Sequence, residues 1–186
     1  KKKKIFSKNI GGAAEYDFVV RFNGNPKLVL YDQNNGGNIS YNMNTSIADG
    51  NWHHIVFTWN GETEAGITAY FDGGVKGGTD GASGLFESVV ATPAEFRMAY
   101  GGGSYSAIIQ DEFSVFNKVL TSTEVSTLYN SGVPTDVTEI SGCQGWWRNG
   151  DPTGTGAFPT ISDDSSNSND GTMTNMASND IITDVP

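Results

Sequence analysis

Between the turns Asp49-Gly50-Asn51 and Asn60-Gly61, β-branched and aromatic residues dominate positions 52–59. Ile55, Phe57 and Trp59 recur at period two, with His54, Val56 and Thr58 between them, as in a strand covered on one face. After the Asn60-Gly61 turn, Ile67-Thr68-Ala69-Tyr70-Phe71 repeats the pattern and ends at Asp72-Gly73-Gly74. Two such runs joined through an Asn-Gly turn predict a β-hairpin at the centre of an antiparallel sheet. Upstream, Tyr16 to Phe22 alternates with Phe18, Val20 and Phe22 on one face. Asn23-Gly24-Asn25-Pro26 turns the chain, Lys27 to Tyr31 returns, and Ile39 to Met43 is a weaker strand. Residues 76–83 read as a polar, Gly-rich loop. Glu95 to Tyr100 is a short strand with Phe96 and Met98 inward, Gly101-Gly102-Gly103 a flexible break, and residues 107–116 a longer strand. Thr121 with Glu124 three positions on is a capping box, and Val125, Leu128 and Tyr129 give one short helix an apolar side. Asn130-Ser131-Gly132 and Pro134 stop it.

Near residue 140 the pattern changes. Trp146-Trp147-Arg148 is a short aromatic strand, and residues 148–180 are poor in large apolar groups, which suits a disordered acidic tail. The domain expectation is therefore a β-sandwich over residues 5–139 and a C-terminal extension over 140–186.

Composition narrows the class. Gly is abundant at 24 of 186 residues and long helical patterns are missing, as in an all-β chain with many turns. Eleven basic residues face 21 acidic ones, and four of the eleven are Lys1 to Lys4. So acidic a body repels nucleic acid. No apolar run reaches membrane-spanning length, which argues against membrane insertion. No apolar stretch follows Lys1 to Lys4, so that run reads as an added segment or a cut point in a longer chain rather than a secretory signal. Cys143 is the single cysteine, so packing alone holds the fold.

The motifs resemble a known family. The Trp52-His53-His54 start, the apolar strand, the Asn60-Gly61 turn and the aromatic strand ending at Asp72-Gly73 are similar to the laminin-G-like domains of the concanavalin A-like lectin/glucanase superfamily. Gln110-Asp111-Glu112-Phe113-Ser114-Val115-Phe116, followed by residues 117–129, is similar to that family's closing strand and short helix. Gln110 departs from the aliphatic residue usual there. The resemblance covers roughly residues 14–133 and implies a jelly-roll sandwich of two antiparallel sheets with one short C-terminal-side helix. Trp146-Trp147 and residues 164–174 resemble the opening of such a domain, while the usual opening strands are absent before residue 14. The extension is thus an ordinary tail, the start of a next repeat, or the source of edge strands for its own or a neighbouring sandwich.

The resemblance leaves function open, since one fold carries many sites. His53 and His54 are adjacent in a strand and point to opposite faces, so they do not chelate one metal. The superfamily's glucanases carry Glu-x-Asp-x-x-Glu on one strand face, and neither Glu62 and Glu64 nor Asp111-Glu112 reproduces it. The expectation is a protein that is not an enzyme. No cofactor is required; several domains of the resembled superfamily hold calcium with loop oxygens, and Asp111 is the candidate ligand here because its family counterpart lies near such sites. Sugar binding requires outward aromatics, for which Tyr70, Tyr100 and Tyr105 are the candidates. Trp52, Phe57, Trp59, Phe71, Phe113 and Val115 are assigned to the core. The Gly/Asn/Thr-rich loops and missing disulfides are similar to laminin-G-like domains in marine phage structural proteins. This implies an adhesion or structural module of a virion appendage or cell surface, extracellular, homo-oligomeric, and contacting glycans or other subunits. The alternative is a carbohydrate-binding accessory domain of a secreted bacterial enzyme.

Overall fold

The computed structural model describes residues 3–10, 13–20, 24–101, 104–150 and 156–182. The chain divides into two compact units, Lys1–Ile108 and Ile109–Pro186.

The first unit runs through β1 (Lys3–Ile10), β2 (Ala13–Val20), β3 (Pro26–Tyr31), β4 (Asn38–Met43), β5 (Ile55–Trp59), β6 (Ile67–Phe71), β7 (Gly74–Val75), β8 (Gly78–Ser83), β9 (Phe96–Met98), β10 (Tyr100–Gly101) and β11 (Ser104–Tyr105). Six strands form one antiparallel sheet in the order β8-β4-β3-β2-β1-β9, and β5-β6-β7 form a second. Register places Tyr16 opposite Leu30, Leu30 opposite Ile39 and Leu28 opposite Tyr41, which gathers these side chains on one face. In the second sheet Trp59 lies opposite Ile67 and Phe57 opposite Ala69. These two faces meet. Leu28, Leu30, Ile39 and Ile67 form a buried cluster, with Tyr16, Tyr41, Phe57, Trp59, Phe86 and Val89 packed against it. The Tyr41 and Phe57 rings touch at 6.4 Å between centroids. The predicted hairpin is thus β5-β6, and its odd-numbered face supplies one side of a two-sheet sandwich.

Several strands depart from expectation. An opening strand exists before residue 14: β1 pairs with both β2 and β9. Its lysines disguise it, yet Phe6 packs at 6.0 Å from Tyr16 and 5.7 Å from Phe96, and Lys4 pairs with the buried Asp17. Residues 78–83, read as loop, pair along β4 as an edge strand. Backbone hydrogen bonds suffice there, and glycine is needed at one point: a Cβ on Gly78 would lie 2.4 Å from Tyr41 Cε1. The strand expected over residues 95–100 breaks at Ala99, where φ is 54°. Phe22 and Gly102-Gly103 lie outside the described residues.

The second unit contains β12 (Phe113–Phe116), α1 (Ser122–Tyr129), β13 (Cys143–Trp147), β14 (Thr160–Ile161) and β15 (Gly171–Thr172). Strand β12 is shorter than the expected 107–116 because Glu112 adopts φ 50°, a left-handed conformation that ends extended pairing. The helix forms as its sequence dictates. Thr121 Oγ1 accepts the Glu124 amide at 3.2 Å, Glu124 Oε2 accepts the Thr121 amide at 2.9 Å, and Val125 and Leu128 are buried.

The C-terminal segment is folded where it is described. Strand β13 pairs antiparallel with β12, Phe113 opposite Trp147 with their rings 5.9 Å apart. The expected boundary at 139/140 therefore falls between two paired strands of one unit. Asp163 organises the polar stretch that reads as a disordered tail. Its carboxylate accepts amides of Trp146 at 2.8 Å, Ser165 at 2.9 Å and Asn169 at 2.8 Å, while Trp147 Nε1 donates to Asn169 O at 3.0 Å. A buried carboxylate with three backbone donors fixes a loop without an apolar core of its own.

Candidate functional site

Two of the three tyrosines expected to face outward come together in the first unit. The left-handed Ala99 swings the chain out of β9 into the β10-β11 ladder, where Tyr100 pairs with Tyr105. Their rings lie 4.8 Å apart at 57°, and Tyr105 is 54% exposed. The Arg97 guanidinium sits 4.9 Å from the Tyr100 ring centroid and donates from Nε (3.1 Å) and Nη2 (2.8 Å) to Glu95 Oε2. The hairpin is pinned to β1: Ser7 Oγ donates to Tyr100 O, the Lys4 amide to Ser106 Oγ and the Ala99 amide to Ile5 O, each at 2.8 Å. The result is an aromatic pair, Tyr105 exposed and Tyr100 half-buried, beside a cation and a carboxylate. Such an arrangement offers apolar faces to C–H groups, and donors and acceptors to hydroxyls. Arg97 and Glu95 escaped the sequence reading; their period-two spacing beside an aromatic strand was the available signal.

The remaining assignments divide. Tyr70 is not an outward platform: it is 6% exposed on β6, opposite Val56 and Val75. The expectation rested on an open even-numbered face, but Thr58 on that face is buried as well. Trp52 is not core: it lies in the turn before β5 at 37% exposure. Phe57 and Trp59 pack against the buried cluster, Phe71 is half-buried with its ring 4.6 Å from that of His53, and Phe113 and Val115 are half-buried on β12.

Asp111 does not gather a set of metal-binding side chains. Its Oδ1 accepts the Glu112 amide at 2.8 Å, and its Oδ2 is buried without a hydrogen-bond partner. Calcium takes 6–8 oxygens, usually including several carboxylates. Among the described residues no group of three or more His, Cys, Asp or Glu is placed to hold a metal ion, so side chains alone do not make Asp111 a calcium site.

The two histidines serve different ends. His53 bridges Asp72 (Nδ1 to Oδ2, 3.0 Å) and Asp49 (Nε2 to Oδ1, 3.1 Å), while Asp72 Oδ1 accepts the His54 amide at 2.9 Å. Burial lowers the affinity of His53 for a proton, but the Asp72 and Asp49 bonds outweigh it and raise the pKa. Burial pushes His54 down. This clasp ties the chain just before β5 to the Asp72 turn that follows β6, at the open end of the hairpin.

A cavity of about 200 Å³ in the second unit was not foreseen. Glu112, Pro134, Thr135, Asp136, Trp146 and Arg148 line it. Trp146 Nε1 donates to Glu112 Oε2 at 2.6 Å, Arg148 Nε stands 3.6 Å from Glu112 Oε1, and the guanidinium lies 5.1 Å from the Trp146 ring centroid. Burial, helped by neighbouring Asp111, raises the Glu112 pKa despite the Trp146 and Arg148 bonds. Asp136 is shifted the other way, because Thr138 donates to its carboxylate from both side chain and backbone. Sequence separation hid this site: β12-β13 pairing brings Trp146 to Glu112 across 34 positions.

An antiparallel two-sheet sandwich is the fold of a lectin-like binding module. The chain belongs to the Laminin_G_3 family: that family's model, described as concanavalin A-like lectin/glucanases superfamily, matches residues 1–126. No curated protein and no solved structure matches the chain. Laminin-G-like domains are typically non-catalytic and commonly extracellular. Among the described residues no helix is long and apolar enough to cross a membrane.

Proposed function

We propose that this protein is a non-catalytic adhesion module that binds glycans through the Tyr100-Tyr105 platform, displayed on a virion appendage or cell surface. The observation that carries the reading is the exposed Tyr105 ring angled against the half-buried Tyr100 ring, beside Arg97 and Glu95. Tyrosine supplies contact area with only two rotatable side-chain bonds, so little entropy is lost on binding. The acidic body favours neutral over acidic polysaccharides at this surface. Screening against a glycan array, followed by calorimetry, tests the proposal. Tyr105→Ala is expected to weaken the best neutral ligand about tenfold or more, roughly 1.4 kcal/mol, with the melting temperature unchanged. Equal affinity of the variant, or no glycan bound by the wild type, overturns it. Release of sugar from a bound glycan overturns the non-catalytic part.

A further inference from the structure

Asn-Gly pairs occur at Asn23, Asn35, Asn60 and Asn149. Such a pair reacts with itself when the glycine nitrogen attacks the asparagine side-chain carbonyl, since glycine has no Cβ to obstruct the approach. Attack requires a glycine N–H that is not already donating and a side-chain amide free to turn. A pair whose groups are bonded must first open locally, so tertiary structure decides which one reacts. Asn35 is tied down: its Nδ2 donates to Asp32 Oδ2 at 2.9 Å, and the Gly36 amide donates to Asp32 O at 2.9 Å. At Asn149 the Gly150 amide donates to Arg148 O at 2.7 Å. Asn23 lies outside the described residues. Asn60 differs at each point. It and Gly61 are exposed just past the end of β5, and a Cβ at Gly61 would meet no atom within 4 Å. Among the described residues neither the Gly61 N–H nor Asn60 Nδ2 has a hydrogen-bond partner. Asn60 Oδ1 accepts the Glu62 amide at 3.2 Å, so the oxygen that gains negative charge when Cγ is attacked already faces a donor. Gly66 makes room for that side chain, because a Cβ there would lie 1.8 Å from Asn60 Oδ1.

We infer that Asn60-Gly61 is a self-modification site, where the chain closes a succinimide and water opens it to aspartate or isoaspartate, ahead of Asn35 and Asn149. Gly61 N gives its proton to hydroxide and bonds to Asn60 Cγ; the Cγ–Nδ2 bond breaks, and the nitrogen takes a proton from water and leaves as ammonia. Water then adds to either ring carbonyl. The net change exchanges ammonia for water, and nothing is oxidised or reduced. Both products carry one more negative charge, and isoaspartate also routes the main chain through Cβ. That lengthening falls inside a loop closed by two bonds, Asn60 N–H to Gly66 O at 3.2 Å and Trp59 Nε1 to Thr63 O at 3.2 Å. Trp59 in turn packs against the buried cluster, so the loop that changes with age adjoins the core of the first unit. The inference is independent of the tyrosine platform and needs no partner or cofactor.

The test incubates the folded full chain in mildly alkaline buffer made with heavy-oxygen water and follows each asparagine over time by peptide mass mapping. Asn60 is expected to take up label at least tenfold faster than Asn35 and Asn149, with isoaspartate among its products. In concentrated urea the three rates are expected to converge, which separates the effect of the fold from that of the dipeptide. Gly61→Ala is expected to slow Asn60 at least tenfold in buffer and in urea alike, so the comparison holds whether or not the variant folds. Equal rates at the three sites in the folded chain, or the same order of rates in urea, overturns the inference. So does label at Asn60 as aspartate alone, a folded rate there more than tenfold below its rate in urea, or an unchanged rate in Gly61→Ala.

Discussion

His53 is the residue whose protonation the fold rewards. Its folded pKa is raised by Asp72 and Asp49 against the opposing effect of burial, so its stabilisation is complete below the unfolded value of about 6.5 and is lost as pH rises through the higher folded value. His54 has the opposite sign: its folded pKa is lowered by burial, so its contribution is present above about 6.5 and lost as pH falls. The two oppose each other in the intact chain, and only a difference separates them. Melting temperature measured against pH for wild type and His53→Gln should show the wild-type advantage largest below pH 6.5 and shrinking above it. An advantage that grows with pH would refute the clasp. Sequence spacing placed these histidines within a strand, but β5 begins at Ile55 and both precede it. It could not supply their partners, because Asp72 reaches His53 only after the hairpin closes.

At the level of elements, backbone conformation decides where strands stop. Ala99 at φ 54° and Glu112 at φ 50° each break a run that alternates well enough to read as one strand. Left-handed backbone costs an L-residue roughly 1–2 kcal/mol, part of which a glycine recovers. Ala99→Gly is therefore expected to raise unfolding stability by about 0.5–1 kcal/mol in urea titration, without moving the Tyr100-Tyr105 pair. A loss of stability would show that Ala99 is held by its side chain instead. The short helix α1 was legible in full, since Thr121, Glu124, Val125 and Leu128 encode cap and face within eight residues. Edge strand β8 was not, because its hydrogen bonds to β4 require nothing of its Gly, Thr, Asp and Ser side chains.

For the whole molecule, the C-terminal segment matters most. Strand β13 is the partner of β12, and Asp163 binds β13 through the Trp146 amide. Deleting residues 140–186 leaves β12 with an open edge, and we expect the melting temperature to fall by more than about 5 °C and solubility to drop; an unchanged melting curve would show that the segment is dispensable. The donor set at Asp111 leads to a second expectation. Millimolar calcium should move the melting temperature no more than magnesium does at equal ionic strength, and a calcium-specific rise would reveal a site of backbone oxygens.

What the sequence determined by itself is whatever is encoded locally: the β5-β6 hairpin from its alternation and Asn-Gly turn, and the helix from its capping box. Tertiary structure alone decided that Tyr70 is buried and Trp52 exposed, that Arg97 lies over Tyr100, and that Trp146 meets Glu112. Period two tells which residues share a face of a strand but not which face is covered. That depends on partners brought in from elsewhere along the chain.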